Sequence, residues 1–545
     1  MIIPFLSAEI GWAPSSVRRH SFIPRLKTSA CLSSALAIML AASSASAGET
    51  DAATRAISPR PADKRAALLE RRNALRDALK ATEAELNAMP ENSTTQPAVP
   101  SQEQEAVSAP AVRIPGSNPS TSANATIPPA STPDVESFTL HGQTTVITQW
   151  HDIFPAPYAG TLSLMRDESA KTSITGTLFT GMRLPWEGAA IYFDPEIAGG
   201  NGLSGVAGIA SFPNGEIPRV GTPEPEPYVA RAYYQQVFGL GGEKEKVAPD
   251  QNQLAGYRDT RRITIWLGKF AATDFFDNNS YSHDPRTQFM NWSLMDDTAW
   301  DYPADTRGYT LGGVVEYNEP AWAIRYGVFE EPKVANGGTL DGHVPQSLAN
   351  ALEFEKRWTI GDRAGVVRVM GFANMAHMGN YRRAIDNPGP NGPDVTLTRA
   401  YSTKYGFSLS AEQAITADLG IWGRAGWNDG HTESWAFTEV DRSASLGISL
   451  KGSKWGRPDD VLGFAGAISG LSQDHRDYLA NGGLGFIIGD GQLNYAPEEI
   501  VETYYLIKVT EHVSATPDMQ FIDNPAYNSD RGPVFVAGVR VHAEF

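Results

Sequence analysis

Strict period-two alternation, repeated over some four hundred residues, is what most restricts the fold of this chain. At its carboxyl end Phe535, Ala537, Val539, Val541, Ala543 and Phe545 share one face of an extended strand, while Arg540, His542 and Glu544 share the other. The rhythm returns in Phe138, Leu140, Thr144, Val146 and Trp150, and in Tyr309, Leu311, Gly313, Val315 and Tyr317. It returns again around Trp322–Val328 with Arg325 opposite, around Val367–Ala373 with Arg368 opposite, at Tyr405–Ala411 with Glu412 opposite, and at Leu419–Trp427 with Arg424 opposite. A half-buried soluble sheet shows the same alternation, so the direction of the apolar face must come from elsewhere in the chain.

The amino end supplies it. Arg18, Arg19, Arg25 and Lys27 precede an apolar stretch from Ala30 to Ala42, and Ala45-Ser46-Ala47 offers small residues for cleavage, so residues 1–47 read as a secretory signal peptide. Beyond it no uninterrupted apolar run approaches the roughly 20 residues that a membrane helix needs. An exported chain without such a helix crosses a membrane only as a closed barrel, whose apolar face looks outward to lipid and whose polar face looks into a wet lumen. Residues 138–545 provide 408 positions, and at roughly 25 per strand with its share of loops the expectation is on the order of 16 strands. That size leaves an aqueous lumen. An even strand number puts both chain ends of the barrel on the periplasmic side of a bacterial outer membrane.

The only cysteine, Cys31, falls inside the predicted leader, which excludes disulfides, zinc-cysteine sites and cysteine nucleophiles from the remainder. Four of the 45 basic and one of the 62 acidic residues also lie there, leaving a formal charge of −20. So acidic a chain does not suit nucleic acid. Residues 48–89 contain Leu68, Leu75, Leu79 and Leu86 at heptad-like spacing, which reads either as a short coiled coil or as a solvated amphipathic helix. The first reading implies a homo-oligomer such as a trimer. Residues 90–136, rich in Pro, Ser and Thr, form a linker, and residues 137–545 the barrel.

Catalytic signals are weak. Gly200-Asn201-Gly202-Leu203-Ser204-Gly205 matches a dinucleotide fingerprint but lacks the following helix pattern, so it reads as a turn. Asp274, Asp277, Asn278, Asn279 and Asp284 form an oxygen-rich loop without the spacing of a calcium site. His431 beside Asp429 and His283 beside Asp284 lack a third ligand or a nucleophile. No enzyme, cofactor or metal is expected.

Two stretches are longer and more specific. Trp186-Glu187-Gly188-Ala189-Ala190-Ile191-Tyr192-Phe193-Asp194-Pro195-Glu196 runs on through residues 199–216 to Tyr228-Val229-Ala230-Arg231-Ala232-Tyr233. Gly268-Lys269-Phe270 is followed by D-F-F-D-N-N-S-Y-S-H-D-P-R-T-Q-F-M-N-W-S-L-M at 274–295. Together they resemble the OprB-type carbohydrate-selective porins of bacterial outer membranes, a likeness that runs through 138–545 and leaves out the amino-terminal helix and linker. The resemblance implies a 16-stranded antiparallel transmembrane β-barrel, with inward loops narrowing a pore for glucose and related mono- or disaccharides. It implies sugar contacts at a constriction: Glu187, Glu196, Arg231 and Lys269 through hydrogen bonds to hydroxyls, and Trp186, Phe270 and Trp292 through stacking. It also implies that the terminal Phe545 is read by the barrel assembly machinery. The competing readings are a structural barrel tied to the cell wall through its periplasmic helix, a lipid-acting barrel hydrolase and a soluble sandwich.

Overall fold

The computed structural model describes residues 135–217 and 222–545. The leader, the heptad segment and nearly all of the linker lie outside the described residues. From the linker's end the chain enters β1 (Phe138–His151), β2 (Lys171–Arg183), β3 (Ala189–Gly200) and β4 (Glu226–Gly239). A small two-stranded hairpin follows, β5 (Lys244–Val247) with β6 (Gly256–Asp259). The wall resumes with β7 (Arg262–Phe270), β8 (Thr310–Glu319), β9 (Trp322–Glu330), β10 (Leu348–Ile360), β11 (Arg363–Met378) and β12 (Ala400–Ala414). It is completed by β13 (Leu419–Asn428), β14 (Arg442–Gly452), β15 (Arg457–Gly470), β16 (Glu498–Lys508), β17 (Val513–Asp523) and β18 (Val534–Glu544). All but β5 and β6 form one closed antiparallel barrel of 16 strands, in which β18 pairs with β1.

Closure follows from the sequence at both ends. Val541 and Arg540 stand opposite Val146 and Ile147. Beyond the last ladder pair, Phe545 N–H donates to the Gly142 carbonyl at 3.0 Å and Gly142 N–H donates to the Phe545 carbonyl at 3.1 Å. The Phe545 ring lies where a side chain at position 142 would stand, so glycine there makes room for the terminal aromatic. Alternation then sorts the wall: Leu311, Val315, Phe354, Leu446, Val539 and Val541 are exposed on the outer face, whereas Glu316, Glu353, Arg424 and Arg540 are buried toward the lumen. Among the described residues no helix is long and apolar enough to cross a membrane.

One end of the barrel carries short turns, such as Gly361-Asp362 between β10 and β11; the other carries long connections, of which 271–309 is the longest. The long connections fold inward and build a core of their own inside the wall. Trp292 stacks on Phe437 with centroids 5.0 Å apart, and Tyr302 stacks on the same Phe437 at 4.8 Å. Such a core must satisfy its irregular backbone, since buried amides without partners are costly. The wall does this with carboxylates. Glu502 on β16 accepts from the N–H of Met290 at 2.6 Å and of Asn291 at 2.9 Å. Glu498 accepts from Ala210 and Ala526, Glu353 on β10 from Asp277, and Glu412 on β12 from Ser280.

Arg540 differs from the sequence expectation of a wet luminal face. It is fully buried, because the 271–309 connection lies over it and its Nη1 donates to the carbonyls of Pro285 and Gln288, each at 2.7 Å. Replacing Arg540 with Met should leave the barrel closed but strip this latch, at a cost of about 1.5–3 kcal/mol for each charge-assisted hydrogen bond lost. Limited proteolysis should then cut within 271–309, and a variant as resistant as the wild type would contradict the latch.

Candidate functional site

A cavity of about 290 Å³ opens inside the barrel toward the short-turn end. Its size matches the lower range of ligand pockets, ~300 Å³. One wall is made by neighbouring strands whose register sets opposite charges face to face. Glu316 on β8 pairs with Arg325 on β9, Arg325 with Glu353 on β10, and Glu355 on β10 with Arg368 on β11. Arg325 donates through Nε to Glu316 at 2.6 Å and through Nη1 to Glu353 at 2.7 Å and Glu355 at 3.1 Å. Arg368 donates to Glu355 at 2.9 Å and reaches Glu412 at 3.5 Å, and Arg357 meets the other Glu355 oxygen at 2.5 Å. Each cation is therefore shared among carboxylates, and charge-assisted geometry fixes the planar guanidinium groups.

The opposite side brings Arg231 on β4, clamped in a fork by Asp274 with contacts of 2.7 and 2.6 Å. Tyr192 and Tyr233, from β3 and β4, stack at 5.0 Å, and Trp266 on β7 lies beside Phe275 at 5.0 Å. The lining holds seven cationic side chains and six carboxylates, a nearly neutral balance. Its ladder side is dense in polar groups that these ion pairs hold in fixed orientation. Oriented acceptors and donors along a cavity wall are what a polyhydroxylated solute can hydrogen-bond.

Of the residues singled out from sequence, Glu187 and Arg231 line this cavity. Glu187 sits in the β2–β3 turn, where Gly188 takes φ +75° and the carbonyl of Val237 leaves no space for a side chain. Glu196 faces inward on β3 but outside the cavity, accepting from Thr177 at 2.5 Å and Tyr309 at 3.1 Å. Lys269 has the parity of the outward residue Leu267 and pairs with Asp305 at 3.6 Å. Trp186 is 54% exposed, with its indole N–H toward Gln236 at 3.2 Å. Phe270 and Trp292 are buried in the loop core, Phe270 edge-on to Phe275 at 4.9 Å. The loop carboxylates Asp274 and Asp277 pair with Arg231 and Arg424, and the glycine-rich 200–205 segment is a turn leading into a short 3₁₀ helix.

Alternation in the sequence sets Arg325, Arg368 and Glu412 on the non-lipid face without assigning them to the site. The alternation carried that signal, but the charge-to-charge register appears only once strands are paired. Glu355→Gln should unbalance the wall, leaving Arg325, Arg357 and Arg368 with less negative charge between them. The ion current in planar bilayers should shift toward anions, and an unchanged reversal potential would show that the ladder does not face the conducting path.

Comparison with known proteins places these features in context. Residues 182–545 match the carbohydrate-selective porin family OprB. Porin B of Pseudomonas aeruginosa is 24% identical over 246 residues, covering 42% of this chain and 54% of that protein. Porin AaxA of Chlamydia abortus is 28% identical over 285 residues, covering 51% of this chain and 53% of that protein. The chain thus spans about half the length of each of these relatives. The high-pH structure of Pseudomonas putida OprB superposes with a TM-score of 0.56 at 18% identity, over 75% of this chain and 94% of that one.

Proposed function

The chain belongs to the OprB family of carbohydrate-selective porins, and from that membership we propose that its barrel passes neutral sugars, glucose among them, by passive diffusion across a bacterial outer membrane. The observation that carries the reading is the cavity wall. Its charges nearly balance, so it favours neither sign of ion strongly, and its oriented polar groups suit hydroxyl groups. The ladder pairs its cations on the protein itself, so a sugar meets oriented donors and acceptors that release it readily. Weak binding of this kind suits transport, since a solute must enter and leave. Arg231 and Glu187 contribute on the side opposite the ladder. Both chain ends of the barrel and its short turns then face the periplasm, and the long connections face outward.

Liposome swelling with a panel of monosaccharides and disaccharides tests the reading. Glucose should permeate faster than an uncharged solute of equal size, and rates that follow solute size alone would leave a porin without selectivity. Arg368→Gln removes a guanidinium from the cavity wall and should weaken glucose block of the ion current by roughly tenfold. Block unchanged in that variant would put sugar contact elsewhere in the lumen.

The terminal residue has a second role in this reading, as the element that the outer-membrane assembly machinery recognises. Deleting Phe545 removes two backbone bonds and the ring over Gly142. The heat-modifiable, folded fraction should fall sharply in cells, while any barrel that does assemble should keep wild-type conductance. Full assembly of the truncated chain would contradict this role.

A further inference from the structure

The connection between β4 and β7 is unlike the others at its end of the barrel. It runs over residues 240–261, whereas β8–β9 and β10–β11 are joined by two residues each and the remaining short turns by no more than five. Rather than lying outside, its tip enters the lumen. Leu254 packs against Ala190 and Tyr192 on β3. The carboxamides of Gln251 and Gln143 meet at 3.3 Å, so the tip reaches across to β1. Asn252, held at φ +54°, donates to Asp194 at 2.8 Å.

The base is held equally well. Glu245 on β5 pairs with Arg258 at 2.5 Å and with Arg262 on the barrel wall at 3.1 Å. Ala255 N–H donates to the Glu136 carboxylate at 2.7 Å, and Arg183 Nη2 donates to the Ala255 carbonyl at 3.0 Å. Contacts at base and tip therefore hold this long excursion inside the lumen. It also bounds the cavity: Asp250, Gln251, Asn252, Gln253 and Leu254 line it together with Glu316, Arg325, Glu355 and Arg368 from the far wall.

We propose that the β5–β6 hairpin is one jaw of the pore's filter, setting solute size from the short-turn end against the charge ladder, with Asn252 at its tip. This rests on the pore reading above. Asn252 has its amide N–H₂ tied to Asp194, which fixes the tip of the hairpin against β3. The filter thus excludes by width.

The test uses the full chain in liposomes and planar bilayers, with the wild type run alongside. Replacing residues 243–258 by an Asn-Gly turn should raise the disaccharide-to-monosaccharide swelling ratio at least about threefold and increase conductance. In a second variant, Asn252→Cys is treated with a bulky methanethiosulfonate reagent; Cys31 is the chain's only other cysteine. Labelling should cut conductance by at least about half. A trimmed barrel that is heat-modifiable yet keeps the wild-type ratio would overturn the proposal, and so would complete labelling at position 252 with no change in current. If the trimmed chain does not fold, the labelling result decides alone. Wild-type liposomes that pass no sugar would overturn the pore reading and this proposal together, whereas sugar-permeable wild type with unaltered variants would overturn the filter only.

Discussion

The structure depends on buried carboxylates of the wall accepting backbone N–H groups from loops that have no ladder of their own. A barrel with lipid outside cannot place its hydrophobic core beyond the wall, so the core here is built within the lumen from inserted connections. Irregular backbone at that depth carries donors that water reaches poorly. Glu353, Glu412, Glu498 and Glu502 each project inward from a strand and each receives one or two of those donors. Arginines answer for the opposite polarity: Arg424 donates to the Leu294 carbonyl at 3.0 Å, and Arg540 to two carbonyls of the same connection. The acidic composition of the chain thereby gains a structural account, since a carboxylate offers several acceptor sites to an amide-rich loop.

The same chemistry yields a different result where loops do not cover it. Along β8 to β11 the carboxylates also meet arginines from adjacent strands, with Glu353 serving both an amide and Arg325, and the outcome is a nearly charge-balanced wall beside the cavity. Burying ion pairs gives little net stability, because desolvation offsets attraction. Their value here is orientation. Arg325, held by three carboxylates, has no freedom to swing across the lumen, and a fixed wall permits discrimination that a mobile one would lose.

Much of this was legible in the sequence because lipid enforces it. The outward set Leu311, Val315 and Tyr317, and the inward positions of Arg325, Arg368 and Arg424, follow from parity alone. Parity also separates Lys269 from its neighbours: Trp266 and Phe270 share the inward face, and Lys269 has the other. The loop residues were harder. Trp292 is an aromatic in a family-like stretch, and nothing local distinguishes a ring that stacks on Phe437 from one that would stack on a sugar. Arg540 read as a lumen residue correctly, yet its burial depends on a connection some 250 positions earlier in the chain. Long-range covering of this kind leaves no periodic trace. The β5–β6 insertion was equally silent, since Lys244–Asp259 has neither the length nor the alternation of a wall strand.

The division between the two ends of the barrel explains where selection can reside. At the long-loop end the lumen is filled by packed aromatics and satisfied polar groups, a structure whose rigidity follows from dense packing. At the short-turn end the wall is lined by ion pairs, and the space between the ladder and the inserted hairpin is left as a cavity. Packing alone sets a diameter but cannot tell one solute of that diameter from another. Discrimination needs oriented polar groups facing the solute, and Glu316, Arg325, Glu355 and Arg368 supply them on the wall of this cavity. The loops therefore position the constriction, and the wall and hairpin give it chemical character.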